Sequence, residues 1–197
     1  MNSRTASPAW AGGNAKTYDV VIVGAGSGGI AAAASLLKRR PKISIAVVEP
    51  AYTHYYQPGV TLVGAGVFEP EVTKHPTAGV MPRGVAWVKQ AVASFAPEAN
   101  VVALADGSSP RYRALVVCPG LKLNWEGIAG LPQALGKNGV TSNYRYDLAP
   151  YTAQLAHGLR KGRALFTQPP MPINSAGRAA KGHISVLRHQ AARRRAP

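Results

Sequence analysis

The hexapeptide Gly24-Ala25-Gly26-Ser27-Gly28-Gly29 constrains this chain more than any other feature, because of what flanks it. Before it, Tyr18 to Val23 (YDVVIV) is a short β-branched run suited to a strand buried on both faces. After it, an Ala-rich helical stretch carries Leu36 and Leu37 near its end and meets Pro41 as a stop signal. Ile43 to Val48 (ISIAVV) reads as the next strand and ends at Glu49. Strand, glycine turn, helix, strand and acid in that order predict a βαβ unit that binds a dinucleotide. The three spaced glycines differ in what they make possible. Gly24 permits the tight turn, Gly26 lets a pyrophosphate approach the backbone, and Gly29 lets helix and strand pack closely. The helix N-terminus offers unpaired N–H groups to the phosphate. Glu49 follows the last glycine by about 20 residues, where a carboxylate accepts from a ribose hydroxyl. A glycine turn without a ligand would leave that acid without a reason.

The 197 residues give room for one domain and a fraction of another. A hydrophobic content of 46% and 21 glycines fit a loop-rich α/β protein. No apolar run approaches the ~18 residues that a spanning helix needs. Residues 1–16 hold Ser, Pro and Gly without a continuous apolar core, so they read as a flexible tail and not as a secretory signal. Arg4 and Lys16, with no acid before Asp19, leave an organelle-targeting role open. The single cysteine, Cys118, excludes an internal disulfide and a cysteine zinc site, and its apolar strand-end position predicts a small buried hydrophobe. The formal net charge of +15 raises nucleic-acid binding, but the distribution argues against it. The last twenty residues carry six bases and no acid; elsewhere the longest basic run is Lys38-Arg39-Arg40, at a predicted helix end that cations favour. Without an aromatic-basic platform or a zinc-finger or homeodomain-like spacing, no nucleic-acid partner is expected, and such binding ranks last among the readings.

Further along come Val101 to Leu104, a turn at Asp106-Gly107-Ser108-Ser109, Tyr112 to Val117 (YRALVV) and Cys118-Pro119-Gly120. A hairpin followed by a strand that ends in a glycine turn resembles the second signature of FAD-binding domains in flavoproteins with two dinucleotide domains. There the strand returns to the sheet beside the flavin, whereas an NAD enzyme more often continues with regular βαβ repeats. FAD is therefore the expected cofactor, with Pro119 and Gly120 at its site.

His54-Tyr55-Tyr56-Gln57-Pro58-Gly59, with Thr61-Leu62-Val63-Gly64-Ala65-Gly66, resembles the H-[FY]-Y-Q-P…T-L-V-G-A-G block of the sulfide:quinone oxidoreductases, in their mitochondrial-type branch and its bacterial relatives. Met81-Pro82 through Trp87, Tyr112 to Gly120, Ser142-Asn143-Tyr144 and Phe166-Thr167-Gln168-Pro169 continue the resemblance in order, over roughly residues 17–177. It implies an α/β chain of two Rossmann-like domains. Residues 17–162 would be an incomplete FAD-binding domain, and residues 163–177 would start a second, opened by a strand at Ala164 to Gln168. It also implies sulfide attack on a cysteine disulfide beside the flavin, with electrons passing through FAD to quinone. Peripheral contact would be with the cytoplasmic side of a bacterial inner membrane, or with the mitochondrial inner membrane. Carried over by position, the FAD contacts would be Ser27 and Gly28 in the phosphate turn, Glu49 on the adenosine ribose, Gln57 in the loop that follows, and Val92 through its backbone near the adenine. Tyr55 and Tyr56 stay open between a site role and loop packing, and His54 reads as a structural hydrogen-bonding residue. Val60 departs from the family, which usually has a large residue there, and a looser packing is expected.

Pro172-Ile173-Asn174-Ser175-Ala176-Gly177 stands where the resemblance places P-[IV]-K-C-A-G, so Ser175 replaces a redox cysteine. A thiol ionises near about pH 8.5 and its thiolate exchanges disulfides, which a hydroxyl does not. As written, the chain is expected to lack the sulfide half-reaction, which leaves a non-catalytic FAD-binding module as the alternative. Degenerate codons for Arg178 to Val186, read from the second base of the first, permit Ala-Pro-Gln-Lys-Ala-Ile-Tyr-Leu, the family's own continuation. The expectation is an extra base near codon 177, with residues 178–197 an out-of-frame, unstructured basic tail.

Overall fold

A computed structural model describes residues 16–167, so the expectations for residues 1–15, for Ser175 and for the basic tail lie outside the described residues. The described residues form two compact units, one from residues 16–54 with His75–Lys122, the other from Tyr55–Lys74 with residues 123–167. The first unit is built on the glycine-turn motif. Strand β1 (Thr17–Val23) leads into helix α1 (Ser27–Arg39), and β2 (Ile45–Val48) returns parallel to β1 with Val20 opposite Ile45 and Val23 opposite Val48. The helix stops where expected: Lys38 and Arg39 occupy its last turn, and Pro41 follows.

Two further stretches cross into and out of the second unit. They contain the short strands β3 (Thr53–Tyr55) and β4 (Lys74–Pro76), which pair with each other, and between them helix α2 (Gln57–Gly64). After β4 come the single turn α3 (Thr77–Val80), then β5 (Val85–Val88), β6 (Val92–Ala96), β7 (Val101–Leu104) and β8 (Arg111–Val117). The main sheet has the order β5-β2-β1-β8-β7-β6. β5, β2, β1 and β8 run parallel, while β7 is antiparallel to both β8 and β6. This is a Rossmann-like sheet in which a hairpin, in place of another helix, leads back to the centre.

Alternation along β1 and β2 splits the core between the two faces of the sheet, as a doubly covered parallel sheet requires. Val20, Ile22, Ile45 and Val47 pack under α1 through Ile30, Ala33, Leu36 and Leu37. Val21, Val23, Ala46 and Val48 face the other way, onto Val102 and Leu104 of β7, with Val92 at the margin. β2 begins two residues later than its sequence suggests. Ser44 is taken by Asp19, whose carboxylate accepts from the Ser44 N–H at 3.0 Å and from the Ser44 hydroxyl at 2.7 Å, while Ser44 Oγ accepts from the Asp19 N–H at 2.8 Å.

The second unit is helical among its described residues. It comprises α2, 3₁₀ turns at Pro70–Thr73, Trp125–Gly127 and Tyr146–Leu148, the short α4 (Leu131–Ala134) and α5 (Ala149–Gly158). Val60, Val63 and Ala149 form its small core beside Tyr146. Val60 is 1% exposed, so the smaller residue is buried in that core. Residues 164–167 carry no strand, so the expected opening strand of a second sheet is not found in the part of Ala164 to Gln168 that is described.

Two outcomes follow from this packing. Ile22 has no exposed surface, so Ile22→Ala should lower the unfolding free energy by about 2–5 kcal/mol in urea denaturation. The Ser44 N–H, then the Ser44 hydroxyl, then Arg113 hold the Asp19 carboxyl below the usual carboxylate range. Its contribution is therefore complete above the ordinary carboxylate pKa and is lost as pH falls through the lower folded value. Asp19→Asn should flatten that acid-side loss in melts collected across pH.

Candidate functional site

The parallel strands β1, β2 and β8 all end at one edge of the sheet, and the glycine turn closes that edge. Gly24 has φ +97°, a left-handed value that L residues rarely take. A Cβ there would lie 2.2 Å from the Cys118 carbonyl oxygen, so Gly24 is packed backbone to backbone against the segment after β8. A Cβ at Gly29 would lie 1.9 Å from the Gly24 carbonyl oxygen, which seats the first turn of α1 directly on the turn. Gly24, Ala25 and Gly29 are buried, while Gly26, Ser27 and Gly28 are exposed. The turn thus has an inner face of close contacts and an outer face of bare backbone.

The peptide groups of Ala25 are held on both sides. Its N–H donates to Glu49 Oε2 at 2.9 Å, and its carbonyl accepts from His54 Nδ1 at 3.0 Å. Since a carbonyl can only accept, His54 carries its proton on Nδ1 in this contact. The structural role expected of His54 is the one observed. Glu49 Oε1 accepts from the Ala51 N–H at 2.8 Å. Two of the roughly four lone-pair sites of the carboxylate are occupied, which leaves acceptors for hydroxyl groups of a ligand.

A dinucleotide fits this edge on three counts. A Cβ at Gly26 would meet nothing within 4 Å, so the space beside that backbone is open. No side chain caps α1 and no acid lies in its first turn, so its leading N–H groups face outward without a competing anion. Glu49 stands at the end of β2 with free acceptor capacity. Pro119 and Gly120 continue the segment packed on Gly24, Gly120 at φ +78°, so Gly24, Gly26, Ser27, Gly28, Gly29, Glu49, Pro119 and Gly120 share the edge. Val92 opens β6 and packs against the cluster that contains Val23 and Val48, the last residues of β1 and β2.

Other expectations meet different surroundings. Cys118 is partly exposed and not buried: β8 ends at Val117, itself 53% exposed, and the chain emerges from the sheet there. Its Sγ lies 3.9 Å from where a Gly28 Cβ would be. Gln57 begins α2 in the second unit, where its Nε2 donates to the Asn143 carbonyl at 3.2 Å. Tyr55 packs on Tyr146 with ring centroids 4.8 Å apart, which favours loop packing of the two open readings. Sequence reasoning assigned no role to Trp87, whose Nε1 donates to the Glu49 carbonyl at 2.8 Å. Only the register of β2 on β5 brings the two together.

The glycines separate into structural and open positions, and stability should follow that division. Gly24→Ala combines a disfavoured φ with a backbone clash and should cost at least about 1–3 kcal/mol. Gly26→Ala, at φ −67° with open space around it, should stay within about 0.5 kcal/mol of the parent in the same urea titration.

Comparison with known proteins places this edge in context. The profile of the pyridine nucleotide-disulphide oxidoreductase family matches residues 18–155, from β1 into α5. The mitochondrial sulfide:quinone oxidoreductase of Dictyostelium discoideum is 43% identical over 164 residues, 82% of this chain and 36% of that protein. Its counterpart in Mus musculus is 37% identical over 164 residues, 83% of this chain and 36% of the relative. The chain thus spans about a third of the length of these relatives. The crystal structure of the sulfide:quinone oxidoreductase from Aquifex aeolicus superposes with a TM-score of 0.57 at 24% identity, over 73% of this chain and 32% of that one, and shares the fold. With the glycine turn, the acid that ends β2 and the hairpin return to β8 all inside the matched span, the chain belongs to the pyridine nucleotide-disulphide oxidoreductase family.

Proposed function

We propose that this chain is the FAD-binding part of a flavin-dependent oxidoreductase of the sulfide:quinone oxidoreductase type. One observation carries the reading: the open backbone at Gly26, the uncapped start of α1 and the Glu49 carboxylate share one sheet edge. In this reading the N–H groups of Ser27 and Gly28 hold the pyrophosphate and Glu49 accepts from the adenosine ribose. Backbone groups at Val92 line the adenine, and Pro119 and Gly120 flank the nucleotide from the end of β8. Gln57 stays a proposed contact through its place in the family block. FAD held there would supply two-electron redox chemistry between a donor and an acceptor. The chain's own contribution is to fix the nucleotide by backbone donors that need no rearrangement.

Sulfide as donor, quinone as acceptor and peripheral contact with the inner membrane, bacterial or mitochondrial, belong to the same proposal. Among the described residues no helix is long and apolar enough to cross a membrane. The hydroxyl of Ser175 favours a narrower version for the chain as it stands, in which FAD is bound and sulfide does not reduce it. We do not assign nucleic acid as a partner.

Titration of the purified chain with FAD, followed by flavin fluorescence, tests the reading. FAD should bind while FMN, which lacks the adenosine diphosphate half, should not. Glu49→Gln should weaken FAD binding by about tenfold or more, since a charged acceptor is lost. Gly26→Ala should weaken it without lowering the melting temperature. Equal binding of FMN and FAD would end the proposal. Added sulfide should leave the spectrum of the bound flavin unchanged, and bleaching would overturn the reading of Ser175.

A further inference from the structure

Glu49 lies between Val48, the last residue of β2, and Pro50, and its main chain is fixed from the neighbouring strand on both sides. Its N–H donates to the Val88 carbonyl at 3.0 Å, and its own carbonyl accepts from Trp87 Nε1 at 2.8 Å. The parallel ladder between β2 and β5 ends with Val48 opposite Val88, so the indole supplies the donor that the ladder no longer provides. Pro50 adds a restraint, since the residue before a proline is confined to extended backbone. The next turn is pinned as well. The Ala51 carbonyl accepts from Thr77 Oγ1 at 2.9 Å, and the Tyr52 carbonyl accepts from the Thr77 N–H at 2.9 Å.

The indole itself is held by an exposed cluster. The Tyr52 ring meets it edge-on at 5.6 Å, and the Lys89 ammonium lies 4.7 Å from the Trp87 ring centroid and 5.4 Å from that of Tyr52. Tyr52 is 65% exposed, so this cluster is not explained by burial of apolar surface. A cation over two rings costs little solvation and limits the swing of the indole.

We propose that Trp87 is a positioning residue for ribose recognition: its indole N–H fixes the Glu49 main chain so that the carboxylate meets a free ribose hydroxyl. The inference rests on the nucleotide reading of the glycine edge and deepens it. Its ligand class is an adenine nucleotide with an unsubstituted ribose. A purely structural Trp87, closing the edge strand β5, would affect every nucleotide alike. A positioning Trp87 affects only the ligands that carry the hydroxyl.

The test measures affinity of the full chain for ADP and for 2′-deoxy-ADP by calorimetry, in the parent and in Trp87→Phe, which keeps a ring and removes the donor. The parent should prefer ADP by about tenfold, the worth of one hydrogen bond to a charged acceptor. Trp87→Phe should cut that preference to about twofold while leaving 2′-deoxy-ADP affinity unchanged. An undiminished preference in a folded Trp87→Phe overturns the positioning role and leaves the nucleotide reading standing. A parent that binds neither nucleotide removes both. Should Trp87→Phe fail to fold, Trp10→Phe/Trp125→Phe leaves Trp87 as the sole indole. Its emission should then respond to saturating ADP and distinctly less to saturating 2′-deoxy-ADP; identical responses overturn the proposal.

Discussion

The peptide of Ala25 is the interaction on which the rest of this architecture depends. Ala25 is 3% exposed, and a buried peptide must find partners for both of its polar groups. It finds them in two residues distant in sequence, Glu49 for the N–H and His54 for the carbonyl. Those two bonds tie the turn after β1 to the end of β2 and to the chain beyond it. With the inner face of the turn so occupied, and Gly24 pressed on the Cys118 carbonyl, only the outer face remains for a ligand. One carboxylate therefore serves the fold through one set of lone pairs and can serve a nucleotide through the other.

Much of this was legible because it is local. A β-branched run, three spaced glycines and an Ala-rich segment specify strand, turn and helix within one short stretch, with little choice left to tertiary context. The parts that were not legible are those set by register or by partners far along the chain. Ile43 and Ser44 look like strand residues, yet Asp19, 25 residues away, claims Ser44 and moves the start of β2. Cys118 follows Leu115-Val116-Val117 and so reads as buried, but the sheet ends there and the chain is exposed. The bond from Trp87 to Glu49 exists only because β5 pairs with β2 in one register. Residues 57–64 matched a family block before they matched any helical pattern, since eight residues offer too few turns to show a clear period.

The charge balance sharpens the case for Glu49. The chain has 23 lysines and arginines against 8 acids, so a carboxylate has many cations competing for it. Asp19 and Asp147 are taken in this way, by Arg113 and Arg145. Three lysines lie over aromatic faces instead: Lys16 over Tyr18, Lys74 over Tyr146, and Lys89 over Trp87 and Tyr52. Among the described residues Glu49 shares the lack of an ion-pair partner with Glu69, Glu71, Glu98, Asp106 and Glu126, but both of its oxygens bond to backbone N–H groups. A paired guanidinium would fill the acceptor sites that a ribose hydroxyl needs, and it would place a cation where a neutral sugar must sit. Lys89 follows the very indole that bonds the Glu49 carbonyl, and the two rings hold its ammonium on themselves. What equips Glu49 to accept from a ligand is this pair of backbone N–H bonds, one to each oxygen, which fixes the carboxylate at the end of β2 and leaves its remaining lone pairs for a hydroxyl.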